Sequence, residues 1–186
     1  MQEYFIFEHQ NLIFYLIYKR NNLSSKKLHL KTQNLINMKI EYNNLYTHFV
    51  FTTLNRMPLI LEKFRDRIEK YITGIVNNNG CKMYSIYANP EHVHFLVSRS
   101  PQIDEVSLAT IVADSSEKFI NNNRLSVGIF QWQQSCSAFS VSKRNIRELC
   151  KYIENQKEHH KTKSCAEEYE GYIKFYQQTI KKKIEN

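Results

Sequence analysis

Residues 82–98, KMYSIYANPEHVHFLVS, read as two strands folded back on each other. Asn89-Pro90 marks the turn, because asparagine favours turn backbone and proline cannot donate to a strand ladder, while the β-branched and aromatic residues on either side favour extended chain. Side chains alternate along a strand. His92, His94 and Leu96 therefore project one way, and Val93, Phe95 and Val97 project the other way and can bury. Two neutral imidazoles on one face are candidate ligands for a divalent cation. The same pair also fits a half-buried strand whose two polar residues face solvent.

Outward from this hairpin the pattern alternates between strands and helices. Leu45 to Thr53 is strand-like. Leu61 to Val76 places Phe64, Ile68, Ile72 and Ile75 on one helical face, and Asn77 to Gly80 ends it. A second helix is expected from about Asp104 to Ile120, and a strand or strand pair across Phe130 to Val141. The order βαββαβ followed by a helix predicts an α+β fold, a ferredoxin-like antiparallel sheet with helices on one face and the first and third strands as central neighbours. That topology brings His48 near His92 and His94, either as ordinary sheet packing with a hydrogen bond or with a direct role.

The last helix spans Ser142 to Lys161, where Ile146, Leu149, Cys150 and Ile153 recur as an amphipathic stripe requires. Tyr152 and Gln156 stand one turn apart at the border of that stripe. A phenolate can attack phosphorus, and an amide carbonyl can complete a metal's coordination. A boundary tyrosine also commonly packs its ring, and a helix glutamine is commonly solvated. His159-His160 with Cys165 lacks a fourth ligand at metal-site spacing and reads as a solvated helix end.

His92-Val93-His94 followed by Tyr152-Ile153-Glu154-Asn155-Gln156 resembles the signature of single-tyrosine HUH transposases, U being a hydrophobic residue. This is the type found in small insertion sequences and as REP-associated tyrosine transposases. The resemblance runs from about Ile40 to Lys174 and includes Tyr46-Thr47-His48-Phe49-Val50-Phe51, Asn55-Arg56, and Ala138-Phe139-Ser140-Val141-Ser142. It implies metal-dependent cleavage and strand transfer of single-stranded or hairpin DNA through a 5′-phosphotyrosine on Tyr152. It also implies a Mg²⁺ or Mn²⁺ ion on His92, His94 and Gln156, and a homodimer. The phosphotyrosine bond would retain the energy of the broken phosphodiester, so a 3′-hydroxyl can rejoin strands without ATP. Where relatives often carry a glycine- and tyrosine-containing segment this chain has Ser135-Cys136-Ser137, which leaves local geometry there open. A noncatalytic DNA-hairpin-binding protein derived from a transposase is the competing reading.

Composition agrees with a polyanionic partner. The chain has 26 basic and 18 acidic residues, a net charge of +8 and a pI near 9.2. Arg56, Lys143, Arg144 and Arg147 are candidate phosphate contacts, or charges that only solvate a helix face. Trp132 and Tyr87 are candidate base-stacking platforms, or core. Four cysteines without C-x-x-C pairing argue against a disulfide framework or a structural zinc and fit a reducing cytoplasm. The longest early apolar run, Leu12 to Tyr18, falls far short of the ~20 residues that span a bilayer, so no membrane partner is expected. Residues 1–37 differ from the rest and read as a non-native or flexible extension ahead of a single transposase-like domain at 38–186, with Met38 as a candidate start; a basic arm contacting DNA is the alternative.

Overall fold

Four antiparallel strands, β1 (Tyr46–Thr52), β2 (Lys82–Ala88), β3 (His92–Ser98) and β4 (Ser137–Val141), form one sheet in the order β2-β3-β1-β4. The computed structural model describes residues 38–161 together with 167, 168, 170, 171 and 174. The chain divides into two units, Met1–Glu41 and Tyr42–Asn186. Residues 38–41 of the first are irregular and exposed; the extension expected at 1–37 lies outside the described residues, as does Cys165.

The expected α+β topology holds, with β1 and β3 as central neighbours. Helices α1 (Glu62–Asn78) and α2 (Glu105–Asn122) join the strands. α1 ends at Asn79 because Gly80 follows at φ 70°, a left-handed position that glycine takes without a Cβ clash. α2 starts at Asp104, whose carboxylate accepts a hydrogen bond from Ser107 N at 2.8 Å. Their buried residues, Ile68, Ile72 and Val76 from α1 and Leu108, Val112 and Ile120 from α2, pack against Phe49, Phe51, Val93, Phe95 and Val97 of the sheet. Phe49 stacks on Phe95 with ring centroids 5.0 Å apart.

On the opposite face the solvent-facing alternative does not hold. β3 is buried on both sides, and His92 and His94 are 0 % and 1 % exposed rather than facing solvent. Alternation assigns residues to a face without saying what covers it. Here helix α3 (Ile146–Glu154) does so, with Ile153 packed on Leu96 and Tyr87.

Two further elements differ from the sequence reading. Only Ser137–Val141 forms a strand in the stretch from Phe130, apart from an isolated bridge between Thr53 and Trp132. The rest is held partly by the end of β1, where Leu54 N donates to Gln131 O and Gln133 N donates to Thr52 O, both at 2.8 Å, and partly by helix side chains. The Asn121 amide accepts from Phe130 N and donates to Phe130 O, both at 2.8 Å, and Glu117 accepts from Trp132 N at 3.0 Å, so these backbone groups need no partner strand. The final helix is broken: a 3₁₀ turn at Lys143–Asn145 precedes α3, and Asn155 (φ −93°, ψ 14°) separates it from the short α4 (Gln156–His159). Asparagine favours such breaks because its side chain competes with the helical backbone.

Trp132 and Tyr87 are not exposed stacking platforms. The Trp132 indole donates to Ser116 Oγ at 2.9 Å within the core, and Tyr87 carries the Arg65 guanidinium over its ring at 4.8 Å. After β1 the chain turns sharply at Leu54–Arg56, with Asn55 and Arg56 both left-handed at φ 55° and 54°. Thr53 Oγ1 donates to Met57 O at 2.6 Å and closes that turn.

Candidate active site

Packing of α3 and α4 on the histidine face builds a buried polar cluster. Its described members are His48 from β1, His92 and His94 from β3, Asn89 from the β2–β3 turn, Gln156 and His160 at the ends of α4, and Glu168. Asn89 N donates to His92 O at 2.8 Å and closes the hairpin, which fixes the Asn89 side chain beside the first histidine.

Each histidine of the pair is oriented from behind. His94 Nδ1 lies 3.0 Å from His48 Nε2. Burial and the facing His94 lower the His48 pKa to about 3, and burial also carries His94 well below its ordinary value, so both rings are neutral near pH 7. With His94 Nδ1–H donating to His48 Nε2, the lone pair of His94 Nε2 points into the cluster. That nitrogen is buried and has no hydrogen-bond partner among the described residues. Glu91 Oε1 lies 3.4 Å from His92 Nδ1, and this contact lowers the Glu91 pKa. A carboxylate or a second imidazole behind a ligating histidine fixes its tautomer and raises its basicity.

His92, His94 and Glu168 bring one ligand atom each within 4.8 Å of one another. Glu168 Oε2 stands 3.5 Å from His94 Nε2 and 3.7 Å from His92 Nε2. Two imidazoles and one carboxylate, with the partner-less His94 Nε2 turned toward them, suit a divalent cation. Gln156 is fully buried; its Oε1 accepts from Asn89 Nδ2 at 3.1 Å and its Nε2 donates to Glu168 Oε1 at 3.0 Å.

Tyr152 is half-buried at the edge of this cluster, its ring centroid 6.0 Å from that of His94 and 5.2 Å from that of His159. It lines a cleft of ≈ 590 Å³ together with His48, Phe139, Ser142, His159 and Glu168. Arg56, Lys143, Arg144 and Arg147 are exposed. The last three lie at the start of the tyrosine helix, next in sequence to Ser142 on the cleft wall, whereas Arg56 lies in the turn after β1 and lines a separate polar hollow with Ser135 and Ser137.

The sequence profile of the family described as IS200-like transposases matches residues 41–156. The chain belongs to that family. The match covers both histidines and the tyrosine helix as far as Gln156, bearing out the resemblance carried by those residues. Among curated relatives, the ISDra2 transposase TnpA of Deinococcus radiodurans is 25% identical over 114 residues, which are 59% of this chain and 81% of the relative. A crystal structure of a candidate transposase from Deinococcus radiodurans R1 covers 65% of this chain and 98% of its own at 19% identity, with a TM-score of 0.49. The structure of a REP-associated tyrosine transposase bound to a REP hairpin covers 66% and 74% at 14% identity, with a TM-score of 0.46. Membership makes this IS200-like chain one of the proteins of DNA transposition.

Sequence reasoning missed Glu168, Asn89, Glu91 and His160. Glu168 sits in Glu167-Glu168-Tyr169-Glu170 with no fixed spacing to the histidines, so only folding reveals it. His160 was legible: Tyr152, Gln156 and His160 recur every four residues, a shared helical face. It is not a solvated helix end, for its ring centroid lies 4.7 Å from that of His92.

Burial raises the Glu168 pKa to about 7, outweighing the favourable field of His92. Its folded value therefore lies above its unfolded one, near 4.5. Between those values the unfolded chain binds fewer protons, so stability of the metal-free protein falls as pH rises through this window and levels off above about 7. Urea unfolding at pH 5 and pH 8 is expected to show this loss in the wild type and a smaller one in Glu168→Gln. An equal loss in both proteins would place its origin elsewhere.

Proposed function

We propose that this transposase cleaves and rejoins single-stranded or hairpin DNA through a 5′-phosphotyrosine on Tyr152, with a divalent ion, Mg²⁺ or Mn²⁺, on the histidine cluster. The observation that carries the reading is the approach of Tyr152 to His94 on the wall of a cleft that the buried Glu168 also lines. His92, His94 and Glu168 would hold the ion. Gln156, expected from sequence to be a ligand, supports the set by donating to Glu168 Oε1. When bound, such an ion neutralises charge on a non-bridging phosphate oxygen.

The protein's own groups do the rest. Ile153, fully buried on Leu96, holds the tyrosine helix against β3 and so fixes the direction of the phenol. Tyr152 Oη attacks phosphorus, the bond from phosphorus to the 3′-oxygen breaks, the phenol gives up its proton and the departing 3′-oxygen takes one up. In the return step a 3′-hydroxyl attacks the phosphotyrosine and restores the phenol. Lys143, Arg144, Arg147 and Arg56 would carry phosphate contacts, which position the strand without reading its sequence.

A labelled single strand carrying the recognised hairpin, incubated with protein and metal and run on a denaturing gel, tests the reading. A protein-linked band is expected. Binding without cleavage would support the noncatalytic hairpin-binding alternative, and products lacking attached protein would mean that water is the nucleophile.

A homodimer is part of the same proposal, since β2 and β4 end the sheet and a symmetric partner can cover an edge. Tyr152 packs on His94 of its own chain. Mixed subunits, one Tyr152→Phe and the other His92→Asn with His94→Asn, are therefore expected to stay inactive. Cleavage recovered only in the mixture would show that the tyrosine helix crosses between subunits.

A further inference from the structure

His160 makes contacts that neither a helix terminus nor the HUH pattern requires. Its Nε2 lies 3.1 Å from His92 Nε2 and 3.3 Å from Glu168 Oε2. The main chain holds it there: His160 N donates to Gln156 O at 2.9 Å, so the ring emerges one turn beyond Gln156 on the same face. His92 Nε2 is meanwhile 2.9 Å from Asn89 Nδ2. An imidazole nitrogen carries either one proton or one in-plane lone pair, so His92 Nε2 cannot bond Asn89 Nδ2 and His160 Nε2 equally well. A cation between the nitrogens and the carboxylate resolves the crowding. Ligand atoms at about 2.0–2.2 Å from one ion stand roughly 3.0–3.5 Å from their neighbours; His160 stands 3.1 Å from His92 and 3.3 Å from Glu168, and Glu168 stands 3.5 Å from His94 and 3.7 Å from His92.

We propose that His160 is a fourth protein ligand, so that the ion binds to three imidazoles and one carboxylate and the site selects a transition-metal ion over Mg²⁺. This rests on the ion-dependent reading above and deepens it. Imidazole nitrogen suits Mn²⁺, Co²⁺ and Zn²⁺, whereas Mg²⁺ prefers oxygen ligands and keeps several of its waters. A set with three nitrogen donors therefore disfavours Mg²⁺ where a set of two histidines and an amide oxygen discriminates less.

The test reads metal binding on the full chain without DNA, so that its failure leaves the phosphotyrosine reading standing. Mn²⁺ binding is followed by paramagnetic resonance, Co²⁺ binding by visible absorption, and Mg²⁺ by competition against Mn²⁺. The wild type is expected to bind Mn²⁺ at least about a hundredfold more tightly than Mg²⁺. His160→Ala, a change at a partly exposed position, is expected to lower Mn²⁺ affinity at least about tenfold, to change the Co²⁺ spectrum and to narrow the preference over Mg²⁺. His160→Asp, which restores a ligand of another kind, should recover part of the affinity with a spectrum unlike that of the wild type. Equal affinity of the wild type for Mg²⁺ and Mn²⁺ would overturn the proposal, as would a His160→Ala protein with unchanged Mn²⁺ affinity and Co²⁺ spectrum. A covalent adduct formed by such a protein would confine the failure to His160.

Discussion

Tyr152→Phe is expected to bind its DNA hairpin with nearly wild-type affinity and to form no covalent adduct, a loss of at least about a thousandfold. The substitution removes one oxygen and leaves the ring. The edge contacts with His94 and His159 and the neighbouring Ile153–Leu96 packing are then preserved, so helix α3 stays docked. Denaturing gels of end-labelled DNA measure the adduct, and a gel shift at matched salt measures binding. Covalent product from the Tyr152→Phe protein would remove the phenol from the reaction. Loss of both binding and adduct would instead assign it to DNA recognition.

The second large effect belongs to His94. Replacing it by alanine would leave a cavity in a strand buried on both faces, so the informative change is His94→Asn, whose amide can still donate toward His48 while the Nε2 position is lost. Metal affinity is expected to fall about a hundredfold or more and cleavage about a thousandfold, with melting temperature changed far less. EDTA on the wild-type protein should abolish cleavage to the same degree, and added Mn²⁺ should restore it in the wild type but not in the variant. Cleavage that persists in EDTA would rule out a role for the ion.

Most of the fold could be read from local pattern because its punctuation is strong. Asn89-Pro90 set the hairpin, Gly80 ended α1, Asp104 began α2, and the strand order brought His48 to His94 as the βαββαβ reading required. The errors have one physical origin. Alternation places His92 and His94 on a common face, yet whether that face meets water depends on a helix some fifty residues later in the chain. Gln131 to Ser135 looked extended but pairs with the end of β1 only around Trp132, whose own N–H is taken by Glu117 of a helix, a choice that local propensity does not encode. The site divided the same way. The histidines and Tyr152 stood out by residue type and spacing; Glu168 did not, because a glutamate in an acidic stretch has no local mark of burial.

The turn after β1 bears on how the chain tolerates change. Asn55 accepts a left-handed backbone readily, but Arg56 does so at a cost of about 1–2 kcal/mol that glycine would escape. A position where the easier residue is absent weighs side-chain chemistry against conformational comfort. Arg56→Gly is expected to raise the urea midpoint slightly while weakening hairpin binding and flattening its salt dependence. If both quantities rise together, the guanidinium has no bearing on DNA. If they move apart, this turn is a place where the molecule gives up durability in exchange for grip.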